Sequence, residues 1–348
     1  MHSADKAALR LAIGLGLAAA VAYGLALPLP FVVCVMAVLV LCKPGPPLSL
    51  FKGAALALVF AALVATGVLM VPLLEHYAFA GVLLTAMVLY GVFFSGLVRN
   101  NPLTMILAIS FALIPVAGVA DQALVGMLSV TLAVGIVTGT LVSALSMALF
   151  PDPPGPAGKG ADAPSVSHEA AAWIALRAVL IVIPVFALAL ANPSLYLAAI
   201  MKTVALGQQA GEIDARSAGR ELVGSTLMGA LIGLALWIGL SLWPSLWMLT
   251  LWLMAAALWV GSAMFGTRGS AFRPSFWSNA LITSLILLGP AIEDSASGKS
   301  VLEGSVVRTG LFVGVALYAW VTIWIFERWR AQRPPAMSVQ HRSQEDTA

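Results

Sequence analysis

The chain has little charge. Lys and Arg number 18 and Asp and Glu 15 in 348 residues, together 9%. A soluble domain carries roughly 25%. So few charges cannot solvate a globule of this length, which excludes a cytosolic enzyme and a nucleic-acid-binding module. Cysteine is nearly absent. Cys34 and Cys42 lie eight residues apart in one apolar run, roughly 12 Å along a helix and beyond disulfide reach. That excludes a secreted disulfide scaffold. The four histidines fall at tails and loops without paired ligand spacing, so neither a metal site nor a cofactor is expected. There is no phosphate-binding glycine-rich motif for ATP hydrolysis. No nucleophile stands near a base and no acid and base are paired, so the chain does not read as an enzyme.

Apolar residues are plentiful, at 61%, and the mean hydropathy is +0.99. This composition indicates an all-α integral membrane protein with the lipid bilayer as its solvent. A spanning helix needs about 20 apolar residues. Apolar runs between charges and Pro or Gly clusters predict twelve crossings, near 8–27, 30–42, 50–74, 77–97, 102–120, 122–150, 170–191, 193–206, 220–243, 246–265, 274–290 and 303–328.

The two halves resemble one another. Ala8-Leu9-Arg10 opens one and Ala175-Leu176-Arg177 the other. Each continues with an apolar helix, a Pro-bearing break (Pro28 and Pro30; Asn192-Pro193) and an unusually short apolar segment. Phe94 to Arg99 with Pro102 resembles Phe265 to Arg268 with Pro274. The expected organisation is therefore two tandem pseudo-symmetric six-helix repeats, 1–150 and 169–330. A Pro-, Gly- and Ala-rich linker, 151–168, joins them, and a disordered cytoplasmic tail, 331–348, follows. With the N-terminus inside, only Lys299 and Arg308 of the basic residues fall on the outer side, as the positive-inside rule requires. Both termini are then cytoplasmic. An even number of crossings per repeat makes the repeats parallel.

Short, Pro-interrupted segments at equivalent places of two repeats point to a transport site. The segments opened by Pro30 and Pro193 fit that description. Lys202, inside the second, either meets an anionic substrate or snorkels to the inner interface. Gln208 follows as a vestibule amide, and Tyr196 is the aromatic placed to meet an aromatic substrate. Asn101 caps a helix beginning at Pro102, beside Arg99, and such an end attracts anions. Arg268, with Arg273-Pro274, repeats that pattern. No carboxylate falls in the middle of a predicted helix. Glu221 and Asp214, both read as lying near the inner surface, are the nearest candidates for a coupling acid.

Arg220-Glu221-Leu222-Val223-Gly224-Ser225-Thr226-Leu227-Met228-Gly229 resembles the Arg-x-x-Gly-Thr-x-x-Gly start of the third helix in fusaric-acid-resistance-type transporters of the aromatic acid exporter superfamily. Thr226 and Gly229 keep that family's spacing; Arg220 and Gly224 are displaced. The Pro-broken second helix of each half and the turns Lys43-Pro44-Gly45 and Gly207-Gln208-Gln209 are also similar. The resemblance spans most of residues 7–330. It implies a bacterial inner-membrane efflux component exporting small organic anions such as aromatic carboxylic acids. It also implies a tripartite pump with a periplasmic membrane-fusion adaptor and an outer-membrane channel. Many relatives carry a large cytoplasmic domain between the halves, where this chain has only the linker. Plant malate channels have a similar paired six-helix unit, so a passive organic-anion channel is the alternative. A non-transporting membrane assembly subunit is the second. Self-association into a homo-oligomer is left open.

Overall fold

A computed structural model describes residues 3–42, 68–99, 104–151, 167–212, 215–298 and 301–332. Its described residues form helices and short connections, with no strand. In chain order the helices are α1 (Ser3–Gly24), α2 (Pro30–Leu41), α3 (Val71–His76), α4 (Ala78–Val98), α5 (Thr104–Ala120) and α6 (Gln122–Leu149). They continue with α7 (His168–Ala191), α8 (Pro193–Glu212), α9 (Ala215–Leu242), α10 (Leu246–Met264), α11 (Pro274–Ala296) and α12 (Val301–Gln332). Eight of them (α1, α4, α6, α7, α9, α10, α11 and α12) are long and apolar enough to cross a bilayer, and α2, α5 and Leu195–Gly207 of α8 are shorter apolar helices. The chain is an all-α, multi-pass membrane protein. The crossing expected at 50–74 falls mostly outside the described residues.

Local chemistry sets the helix ends. The Asp121 carboxylate accepts from Ala123 N at 2.8 Å and caps α6. Ser167 caps α7 through Ala170 N and Ser245 caps α10 through Met248 N. Proline occupies the first turn of α2 and α11, where a missing N–H costs nothing. Pro30 follows Leu29, held at φ 47° and ψ 60°. A left-handed backbone at a branched residue is unusual, and here it reverses the chain between α1 and α2.

Two expectations about length and depth are corrected. The second short segment, expected to end at 206, continues as helix to Glu212. Gly207-Gln208-Gln209-Ala210 ends the apolar run, but none of these residues stops a helix. Glu293 and Asp294, expected outside a helix, lie in the last turns of α11.

Side-chain burial distinguishes inner from outer helices. On α2, every residue from Phe31 to Leu39 is buried, matching a sequence with no polar face. On α8, Ala199 to Gly207 are buried in the same unbroken way. Partner choice also recurs. α1 packs on α10 and α7 on α4; α2 packs on α11 and α8 on α5; α2 packs on α6 and α8 on α12. Glycines set the directions. Gly16 meets Met254 while Gly261 meets Ala8, so α1 and α10 are antiparallel. Gly224 meets Phe276, Gly229 meets Ala280 and Thr283, and Gly233 meets Ser284 and Leu287, so α9 and α11 are parallel. A Cβ on Gly229 would stand 2.6 Å from the Ala280 carbonyl oxygen, so only glycine admits this approach.

Candidate functional site

Lys202 is the tenth of the twenty residues of α8, about 15 Å from either end at 1.5 Å per residue. It is 0% exposed. The snorkelling alternative is thereby removed: a four-carbon stem cannot bring the ammonium to a boundary it would have to leave the core to reach. Instead Lys202 Nζ donates to Asn279 Oδ1 at 3.1 Å and to Thr283 Oγ1 at 2.7 Å, both on α11.

The hydrogen-bond directions follow from chemistry. Lysine offers only donors when charged, so the Asn279 amide must present its oxygen to it. Asn279 Nδ2 then donates to Ser225 Oγ of α9 at 2.6 Å, and the Ser225 hydroxyl donates to Leu222 O. The Thr283 hydroxyl donates to Asn279 O at 2.6 Å, leaving its oxygen lone pair for Lys202. Every proton beyond Lys202 points away from it, so the negative ends of two dipoles converge on Nζ. Asn279, Thr283 and Ser225 are all buried. Among the described residues Lys202 has no carboxylate partner and donates no third bond.

Among the described residues, α2 and α5 carry no such centre. α2 has no residue more polar than Cys34. On α5, Ser110 turns back to Ile106 O at 2.7 Å. The polar centre belongs to α8, α9 and α11.

A cationic, aromatic end lies beside it, at the start of α11. The Arg220 guanidinium sits over Phe272 at 5.2 Å, and Phe272 stacks on Phe276 at 4.1 Å. Arg268 sits over Trp259 at 4.5 Å and over Trp277 at 5.5 Å. Trp277 Nε1 donates to Ser270 Oγ. Arg220, Arg268 and Arg273 are exposed. Asn279 follows Phe276 by less than one turn, so the buried amide lies directly above the aromatic layer that carries the arginines.

The remaining expected residues are dispersed. Gly224 and Gly229 line α9 where it meets α11. Thr226 is buried and donates to Leu222 O. Tyr196 is half-buried on α8, nearly two turns before Lys202. Arg99 ends α4, exposed, and α4 packs against α3, α5 and α7, away from the centre. Pro30 and Pro193 open α2 and α8. Asn101, Asp214 and the Gln208 side chain lie outside the described residues.

Three participants were not expected: Asn279, Thr283 and Ser225. Their signal was present, since Asn279 and Thr283 are polar residues at i, i+4 inside an apolar run, and membrane helices tolerate such residues where they bond to a neighbour. Glu221, read as lying near the inner surface, is 2% exposed. α9 begins at Ala215, so Glu221 stands in its second turn, near that end of the helix and packed inside the bundle. Among the described residues no His, Cys, Asp and Glu cluster suits a metal ion. Arg177, expected as an inner anchor, is 3% exposed and pairs with Glu327 of α12 at 2.9 Å.

Residues 7–147, under half of the chain, match the model of a family described as protein of unknown function (DUF2955). No curated protein matches. No solved structure matches.

Proposed function

We propose that the chain is a membrane transporter of small organic anions, aromatic carboxylates foremost, with Lys202 as the anion-binding cation. The observation that carries this reading is the wholly buried Lys202, solvated by Asn279 and Thr283 and paired with no acid among the described residues. A structural cation in a membrane bundle is matched, as Arg177 is by Glu327. Intramembrane ionisable residues without such a match mark pathways. The arginine and aromatic layer at the start of α11 supports the same reading. Cations over ring faces gather anions by potential, and the rings offer flat apolar surface to an aromatic acid.

The wider frame is twelve crossings in two parallel six-helix repeats, with the polar centre in the second. The recurring helix partners support it, and so does a family match that stops at residue 147, before the linker. The positive-inside distribution supports cytoplasmic termini in a bacterial inner membrane. In this frame the aromatic layer faces the cytoplasm, as export requires. An adaptor and an outer-membrane channel would complete an export path.

The test is salicylate resistance in cells that produce the chain, with abundance measured in parallel. Wild type should confer resistance, and Lys202→Ala at equal abundance should not. Normal resistance in the alanine variant would remove Lys202 from the pathway. In vesicles, a carrier should build a salicylate gradient that an uncoupler abolishes, whereas a passive channel only dissipates one.

A further inference from the structure

A second buried ionisable group lies in the same bundle and is not used by the anion site as described. Glu221 is 2% exposed, and its Oε2 is buried without a hydrogen-bond partner. It precedes Ser225 by one turn, so the two share the α9 face that meets α11 through Gly224 and Gly229. Ser225 is the last side chain of the network that begins at Lys202. Glu221 therefore continues the polar column by one turn. Yet Lys202 and Glu221 form no ion pair: the lysine bonds an amide and a hydroxyl instead. Elsewhere in the bundle opposite charges meet directly, as in Arg177 with Glu327 and Arg308 with Asp294.

The other titratable groups near α9 are few. α10 carries none. On α8 the described side chains offer Lys202 and, nearly two turns away, Tyr196. On α11, Glu293 and Asp294 lie at its far end, and on α12 so do Glu303 and Arg308. Tyr318 of α12 donates to Leu180 O, Glu327 holds Arg177, and Arg328 lies over Trp324. Arg220 and Arg268 face the aromatic layer, and Arg273 is exposed. Among the described residues, Lys202 is thus the buried charged side chain on the helices packed against α9.

Charge balance links the two. With Lys202 protonated and Glu221 ionised, the pair sums to zero. An organic anion arriving at Lys202 leaves Glu221 as a buried, uncompensated negative charge, which is strongly unfavourable. One proton from water onto Glu221 restores neutrality. We propose that Glu221 is the proton-binding partner of the anion site: each anion that binds at Lys202 brings one proton onto Glu221. The inference rests on the anion reading above. By linkage, a falling pH then tightens anion binding.

Calorimetry of the full-length purified protein with salicylate tests this. At mildly alkaline pH salicylate is fully ionised, so any proton taken up goes to the protein. Titrations in two buffers of different ionisation heat give the protons bound per anion. Wild type should take up about one. Glu221→Gln, which keeps the side-chain shape, should bind salicylate with no proton uptake and no pH dependence. Glu221→Asp should restore uptake. Wild-type binding without proton uptake overturns the proposal and leaves the anion site standing. Uptake that persists in Glu221→Gln moves the proton to Lys202 and also overturns it. No salicylate binding by wild type overturns the anion reading and this inference with it. Should Glu221→Gln not fold, Glu221→Ala takes its place with the same expectation, and absence of uptake by wild type still overturns the proposal.

Discussion

At the residue scale, Lys202 separates function from stability. Its ammonium has two neutral acceptors and no acid partner among the described residues. Lys202→Met removes a buried ammonium that is costly to desolvate but leaves Asn279 Oδ1 without its donor, and the two effects offset one another. Lys202→Met should therefore leave the melting temperature close to that of wild type while abolishing salicylate export. Equal loss of both would mark Lys202 as structural. Asn279→Ala should differ. It strips an acceptor from Lys202 and the donor that reaches Ser225, so it should cost about 1–3 kcal/mol in thermal stability as well as transport. The Arg177 and Glu327 pair should behave as a structural contact. Its side chains are 4% and 35% exposed. Glu327→Ala takes the carboxylate from a buried guanidinium, whereas Arg177→Ala leaves a carboxylate that water reaches. Glu327→Ala should therefore be the more destabilising, by a loss on the order of 3 kcal/mol, read by thermal denaturation in detergent.

At the element scale, the α9 and α11 contact carries the centre. Gly229 admits it at a point where a Cβ would stand 2.5 Å from the Thr283 Cβ and 2.6 Å from Ala280 O. The obstacle is backbone, so it cannot swing aside. Gly229→Val should separate the helices near Thr283 and cost about 1–3 kcal/mol through overpacking. It should also loosen the Thr283 bond to Lys202 and lower export. Gly233 is the control. A Cβ there meets Ser284 O at 3.5 Å, an ordinary contact, so Gly233→Ala should keep both stability and export. A Gly229→Val protein with full export would show that the α9 to α11 distance does not set the site.

At the scale of the whole molecule, the proposed twelve crossings would alternate in direction. The α1 and α10 pair is antiparallel and the α9 and α11 pair parallel, as a chain that re-crosses at every helix requires. Cysteine labelling in a background lacking Cys34 and Cys42 checks the sidedness. A cysteine at Ser165 should react from the cytoplasmic side, and cysteines at Asn192 and Ser297 from the opposite side. Labelling of Ser165 from the periplasm would invert the orientation and leave the aromatic layer facing outward, against an export role.

The sequence by itself determined the class and most helix positions. Apolar runs of membrane-crossing length have no other stable environment, and backbone satisfaction in lipid demands helices. Starts at Pro30, Pro193 and Pro274 and ends near Leu149 and Ala191 were legible for this reason. The extension of α8 to Glu212 was not, because polarity ended the apolar run while helical backbone bonding continued. Lys202 was legible as an anomaly, since a charge among apolar residues stands out. Its depth was decided only by the tertiary structure, because burial depends on which helices surround α8. The network through Asn279, Thr283 and Ser225 joins residues up to 81 positions apart, a separation no local pattern encodes. Arg177 and Glu327, 150 residues apart, are joined in the same way. The place of Glu221 near the start of α9 was legible, but its burial was not, since packing against the neighbouring helices decides it. Helical periodicity specifies which residues share a face, and only the packing of α8, α9 and α11 decided which faces meet.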